Sequence, residues 1–452
     1  MRASATAASS TLDRGRLLDW YRRNRRRSRE IFDLLSDDSY YSRPIALRHP
    51  IVFYEGHLPA FSFNTLVKRG LGHPGFDSSL ETLFARGIDP HESQGAEADA
   101  AATRARWPSR QQVQAFADEA DRQVMAALAT GDIECPGHPL LNDAEAAFCI
   151  LEHEAMHQET LLYMWQRLAL DQKRRPHGYA PDAGGAPPSN DWIEVPAGPA
   201  TLGVNPGDEL FSWDNERRSH RVDVPAFKVQ RHNVSNAECL EFVESGGYTD
   251  ERWWRPADWA WLRSERVAHP LFWERDENGT WLWRGMFDRL PLPLSWPAYV
   301  SQAEAVAFAA WRGARLLTEA EYQRAAYGQP DGGQRRYPWG DAPPAAVHGA
   351  FDFESWDPQP CGSHPLGASA WGIHDLAGNG WEWTSTVFAP FPGFAALPSY
   401  PEYSADFFDG EHFVMKGASP ATARELVRPS FRNWFRPRYP YVYASFRCAR
   451  ES

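Results

Sequence analysis

The spacing of hydrophobic and polar positions changes character once along this chain, near residue 175. Before that point, four stretches carry apolar residues at three- and four-residue intervals: 13–36, 46–69, 109–130 and 142–170. This is the rhythm of an amphipathic helix, and four such helices predict an antiparallel bundle. The run from Arg174 to Asn190, rich in Pro and Gly, cannot continue a helix and offers nothing to a core. It predicts a linker. Beyond it the chain is dense in Trp, Gly and Pro, with short extended pieces at Trp192–Val195 and His220–Val224. Helices are expected to start at Ser235 and at Ser301, the second running to Trp311, and another to follow the Thr318-x-x-Glu321 capping box. The pattern therefore predicts a helical domain over 1–173, a linker over 174–190 and an irregular α+β domain over 191–452, with no repeat of fixed period.

Composition narrows the function classes. A chain of 452 residues with 43% hydrophobic content has room for at least two cores. Its net charge of −12 gives no general electrostatic reason to bind nucleic acid or an acidic membrane. The Arg-rich stretch Arg14–Arg29 is interleaved with Leu17, Leu18, Trp20 and Tyr21, and so predicts the solvated face of a first helix. No apolar run approaches the length of a membrane span, and the first thirty residues lack the apolar core of a signal peptide. A cytoplasmic location is expected. Cysteines at 135, 149, 239, 361 and 448 form no C-x-x-C pair, which argues for reduced, structural thiols.

The chemistry begins at Leu151-Glu-His-Glu-Ala-Met-His-Gln-Glu-Thr160, where a helix would place His153 and His157 one turn apart on one face. His153 to His157 also spell His-Glu-x-x-His, a zinc protease pattern with Glu154 as general base. A metzincin would continue with Gly at 160 and His at 163, but the residues there are Thr160 and Tyr163. The third ligand must lie elsewhere. A zinc protease and a non-catalytic protein, a metal-binding bundle joined to a lectin-like module, stand as competing readings.

The combination of His153-x-x-x-His157-x-Glu159 with Gly378-Asn-Gly-Trp-Glu-Trp383, Lys416-Gly-Ala-Ser419 and Phe431-Arg-Asn-Trp434 resembles the ergothioneine-type sulfoxide synthases over nearly the whole chain. The resemblance implies a DinB-like four-helix bundle followed by a formylglycine-generating-enzyme-like, C-type-lectin-like domain. It also implies a three-histidine site for non-heme iron(II). The third ligand would come from His49-Pro-Ile-Val-Phe-Tyr-Glu-Gly-His-Leu-Pro-Ala-Phe61, with His57 the choice and His49 marking the helix start. Taken alone, His57 reads as a core histidine. Three imidazoles leave about three positions for a chalcogen donor, dioxygen and water. The implied acceptor is hercynine, the trimethylammonium form of histidine, with Asn433 a hydrogen-bonding partner and Trp434 a wall of its pocket; core packing is the competing role for Trp434. Glu159 would orient a ligand imidazole. The cysteine pair of true formylglycine-generating enzymes is not evident.

The departures from that family bear on the donor. Mycobacterial-type members carry a catalytic Tyr before Pro-Gly-Phe, where this chain has Phe391; an Asp after Asn-Trp, where it has Phe435; and a Gln before the second motif histidine, where it has Met156. Without that carboxylate, the α-ammonium of cysteine or γ-glutamylcysteine loses its partner. The losses favour a seleno- or thiosugar, as in the selenoneine synthase branch, over the ergothioneine-type donors. Tyr54, Tyr163, Tyr439, Tyr441 and Tyr443 are all candidates to replace the missing hydroxyl.

Overall fold

The computed structural model describes residues 12–85 and 106–452. By contact density the chain divides into two units, Met1–His157 and Gln158–Ser452.

The first unit is helical. Helix α1 (Arg14–Asp33) is capped by the Asp13 carboxylate, which accepts from the Arg16 N–H. Helix α2 spans Ile51–Ser62. Pro59 lacks the N–H that would close on Glu55, and α2 then passes into a π-helical segment, Phe63–Gly70. A short helix, α3 (Ser78–Leu83), precedes α4 (Arg110–Thr130), which opens on a reciprocal capping box between Ser109 and Gln112. Helix α5 (Glu145–Arg167) begins in the first unit and ends in the second. Helix α4 packs against both α1 and α2, while Asn24 of α1 donates to the Leu151 carbonyl of α5. The periodic stretches thus became the four long helices, and α3 is an addition that periodicity did not reveal.

The Arg-rich stretch needs one correction. Arg16, Arg22, Arg23, Arg26 and Arg29 are exposed, as expected of a solvated face, but Arg25 is only 7% exposed. Its guanidinium is paired with Asp121 of α4 and Glu154 of α5, both at 2.8 Å.

The second unit is built on short strands. One antiparallel sheet has the order β1–β4–β13–β8, from Trp192–Val195, Phe227–Gln230, Cys448–Glu451 and Arg315–Leu316. Another runs β11–β10–β9–β12, from Asn433–Phe435, Phe413–Ala418, Gly380–Val387 and Ala444–Ser445, with β12 parallel to β9. Two small antiparallel sheets add β2 (Gly198–Leu202) with β3 (His220–Val224), and β5 (Trp273–Arg275), β6 (Trp281–Arg284) and β7 (Arg289–Pro291). Four helices, α6 (Asn236–Glu244), α7 (Pro256–Glu265), α8 (Gln302–Trp311) and α9 (Glu319–Tyr327), lie between the strands in sequence. The expected caps Ser235, Ser301 and Thr318 each form a capping box. Strands this short bury little each, and large rings supply the core instead: Trp213, Trp273, Trp283, Trp296, Trp381 and Trp383 are fully buried. The five cysteines are free, and all but Cys135 are buried. Burial pushes the thiols of Cys239 and Cys361 well above their ordinary value, as suits inert core residues.

Candidate metal centre

Two helices supply three converging imidazoles. His153 and His157 lie one turn apart on α5, and His57 comes from α2; their ligand nitrogens all lie within 4.8 Å of one another. Ring centroids are 4.5 Å apart for the α5 pair, and His57 stands 5.2 Å from His153 and 5.0 Å from His157. His57 and His153 are each 1% exposed and His157 is half-buried.

The first imidazole is oriented by main chain. His57 Nδ1 lies 2.8 Å from the Phe84 carbonyl oxygen. A carbonyl can only accept, so Nδ1 carries the proton and Nε2 is left with its lone pair. That Nε2 is buried with no hydrogen-bond partner, as is Nδ1 of His157. Burial, opposed by the Phe84 hydrogen bond, pushes His57 down to about 4, and burial with the neighbouring imidazoles holds His153 and His157 well below the usual histidine range. Neutral imidazoles with buried lone pairs are the donor set that a divalent metal takes. Aromatic rings enclose them: Phe61 stacks on His153 at 3.6 Å, Phe53 on His57 at 5.0 Å, and the Tyr54 ring lies 5.8 Å from His157. Gly56 admits this packing, because a Cβ there would meet the Phe84 ring at 2.5 Å. His49 stacks on Phe53 and is not one of the three converging rings.

Neither glutamate of the motif behaves as its simplest reading suggests. Glu154 is fully buried, and its Oε1 accepts from Arg25 at 2.8 Å and Ser28 at 2.6 Å, both on α1. A carboxylate ion-paired in this way is poorly placed to serve as a protease base. Glu159, expected to orient an imidazole, is bound elsewhere: Oε1 accepts from Trp381 Nε1 and Ser419 Oγ, and Oε2 from Thr422 Oγ1. The Gly378–Trp383 motif therefore contributes a hydrogen-bond donor through Trp381.

The candidates in the second unit fall on two sides of β11. Asn433 and Phe435 share one face by strand alternation. The Phe435 ring stacks on Tyr439 at 5.1 Å and stands edge-on to Tyr163 at 6.5 Å. Trp434 packs on the other side, stacked on Phe388 at 4.2 Å, with Tyr403 and Phe407 against it. Phe391 is buried 4.6 Å from His220, beneath the Arg432 guanidinium at 4.0 Å. Met156 is half-buried on α5. Of the candidate tyrosines, Tyr54 adjoins a histidine of the cluster, whereas Tyr163, Tyr439, Tyr441 and Tyr443 form an aromatic group with Phe435. Among the described residues no helix is long and apolar enough to cross a membrane.

Sequence comparison places these features among known proteins. Residues 21–161 match the DinB superfamily, and residues 180–452 match the sulfatase-modifying factor enzyme 1-like domain. Hercynine oxygenase of Mycolicibacterium smegmatis is 39% identical over 311 residues, covering 66% of this chain and 70% of that protein. The hercynine oxygenase of Mycolicibacterium thermoresistibile is 40% identical over 312 residues, covering 68% and 69%. Ergothioneine biosynthesis protein 1 of Neurospora crassa is 27% identical over 503 residues, covering 92% of this chain and 56% of that protein. The two domain matches occur in the order that the motifs required, and with these relatives they establish that the chain belongs to the ergothioneine-type sulfoxide synthase family.

Proposed function

We propose that this protein is an O2-dependent non-heme iron(II) enzyme that joins a selenosugar to imidazole C2 of hercynine, a selenoneine synthase. The observation that carries the reading is the three-histidine cluster, with the lone pair of His57 held free by the Phe84 carbonyl, in a chain related to hercynine oxygenases. Iron(II) held by His57, His153 and His157 would supply the redox centre at which donor and dioxygen meet. For an oxide product the atoms balance with one O2: the C2–H and chalcogen–H bonds give a C2–chalcogen bond bearing one oxygen, and the other oxygen leaves as water.

The remaining roles belong to the chain's own side chains. Phe53 and Phe61 shield the imidazoles from water. Asn433 is assigned to hydrogen-bond hercynine, with Trp434, anchored by Phe388, backing the strand. Phe435 offers an apolar face to the CH side of a sugar ring. An α-ammonium buried there without a carboxylate would be disfavoured by several kcal/mol, on the order of the desolvation cost of an unpaired ion. Met156 and Phe391 likewise present no polar group to an amino-acid donor. The second reading, a sulfoxide synthase using cysteine or γ-glutamylcysteine, is favoured by the name of the Neurospora relative.

The test supplies the iron-loaded protein with hercynine under air and lets a selenosugar compete with cysteine and γ-glutamylcysteine, following products by mass. Selenosugar coupling is expected to dominate. Efficient coupling of an amino-acid thiol with no reaction of the selenosugar would overturn the donor assignment, and zinc content with peptide hydrolysis would overturn the reaction class. His57→Ala is expected to purify folded and iron-poor, because no thiolate or carboxylate in the motif replaces the lost imidazole. Full iron occupancy in that variant would remove His57 from the site.

A further inference from the structure

The last turn of α5 and the segment after it gather more positive charge than their surroundings neutralise. Three cations lie there: Arg167, Lys173 and Arg284. Arg284 is fully committed, donating to the carbonyls of Gln166, Arg167 and Leu168 and to Glu274. Glu274 in turn also receives Arg289. The other nearby carboxylate, Asp357, accepts from the Tyr179 hydroxyl and the Met286 N–H. Arg167 Nη1 and Lys173 Nζ remain, both buried and both without a hydrogen-bond partner, with Lys173 only 6% exposed. Burial first, and then the charge of Arg284, push the Lys173 ammonium down to about 7 and lower Arg167 as well. Asp357 and Glu274 reach Lys173 and Arg167 only through their fields, and a bound anion would give the two orphaned donors a partner.

Their neighbours indicate which anion. Arg167 follows Tyr163 by one helical turn on the same face of α5. Tyr163 stands edge-on to Phe435, Tyr439 and Tyr443 at 6.4–6.5 Å, and Tyr439 contacts Tyr441 at 4.9 Å. The Tyr441 hydroxyl lies within the field of Arg167. The Tyr443 hydroxyl is itself buried without a partner. Cations beside clustered aromatic faces suit a zwitterion, whose carboxylate meets the cations while its quaternary ammonium lies over a ring.

We propose that Arg167 and Lys173 form a carboxylate subsite beside the Tyr163–Phe435–Tyr439–Tyr441 cluster, and that it takes the carboxylate of the amino-acid betaine substrate. The choice of betaine rests on the hercynine reading above; the carboxylate chemistry does not. The experiment uses the full-length, iron-loaded protein and its Arg167→Gln and Lys173→Met variants. Calorimetry compares hercynine with its decarboxylated counterpart, trimethylhistamine, and with cysteine, while acetate serves as a minimal probe in thermal unfolding. Each variant is expected to lose about tenfold to a hundredfold in hercynine affinity, the range of a charge-assisted hydrogen bond, with trimethylhistamine unchanged. Lys173→Met should melt no lower than the parent, since it removes an unpaired buried charge, and acetate should stabilise the parent alone. Loss confined to cysteine would support the subsite with the donor as the source of its carboxylate. Equal weakening of hercynine and trimethylhistamine, or variants that bind every ligand like the parent, would overturn it. If hercynine fails to bind even the parent, the proposed function fails while the acetate arm still decides the subsite.

Discussion

Helix α5 carries one buried carboxylate between its two histidines, Glu154, and another just beyond them, Glu159, and the molecule holds these two in opposite ways. Glu154, in the first unit, is held by charge: Arg25 pairs with it at 2.8 Å and also with Asp121, and Ser28 adds a hydroxyl. Glu159, in the second unit, accepts only neutral donors in its close contacts: Trp381 at 2.7 Å, Ser419 at 2.6 Å and Thr422 at 2.9 Å. Burial raises both carboxyls above the usual carboxylate range, and hydrogen bonds partly offset it in each. Only Glu154 has a cation to help. The difference shows how two unlike chemistries can fix one ligand-bearing helix. An ion pair fails by stranding a charge, whereas a set of neutral donors fails one dipole at a time.

The largest expected effect breaks the charged side. Arg25→Met leaves Glu154 buried without its cation, while Asp121 keeps Arg29 at 3.0 Å and the Tyr21 hydroxyl, and breaking a buried pair in this way costs about 3–5 kcal/mol. Chemical denaturation should show that loss, and adding Glu154→Gln should recover part of it. A loss below about 1 kcal/mol, the worth of an exposed pair, would show that the arginine contributes no more than a surface ion pair.

The neutral side should yield less. Glu159→Gln keeps shape and volume but replaces one accepting oxygen with an amide NH2, which either confronts the Trp381 N–H with another donor or obliges a Ser419 or Thr422 hydroxyl to turn and accept. About 1–3 kcal/mol is expected, the cost of a buried polar group left unsatisfied. Denaturation midpoints of the two variants, measured side by side, check the ordering. Should Glu159→Gln prove the more damaging, neutral donors would be the stronger anchor and the comparison would reverse.

How much of this could be read beforehand depended on whether a feature leaves a periodic or side-chain trace. The long helices did, through their apolar spacing, and so did His153 and His157, one turn apart. His57 did not, because its partners lie far along the chain, and only the family resemblance selected it. The Phe84 carbonyl that orients His57 is main chain and carries no residue signature at all. Arg25 was grouped with its exposed neighbours because one arginine among many gives no sign of burial; the pairing depends on α4 and α5 arriving beside it. In the second unit, β11 is three residues long, too short for alternation to tell which of Asn433, Trp434 and Phe435 share a face. Trp381 was legible as part of the Gly378–Trp383 motif, but the donor role of its Nε1 depends on Glu159, more than two hundred positions away.

The smallest effect is the sharpest test of the neutral clamp. Trp381→Phe removes one donor while keeping an aromatic ring against Phe431, 5.9 Å away. Glu159 Oε1 still has the Ser419 hydroxyl, and Oε2 still has Thr422, so no carboxylate oxygen is left bare. The loss should be about 1–1.5 kcal/mol, close to a single net hydrogen bond, with iron content unchanged because His57, His153 and His157 are untouched. A double-mutant cycle with Ser419→Ala then asks whether the donors act singly. Both bonds fall on the same oxygen, so removing the second after the first should cost more than removing it alone, giving a coupling of about 0.5–1 kcal/mol. Strict additivity would mean that each donor is individually replaceable, and the contrast with Arg25, whose loss strands the Glu154 charge outright, would be at its widest. A loss in Trp381→Phe as large as that in Arg25→Met would mean instead that the three donors form one cooperative network, and the distinction between the two halves of α5 would disappear.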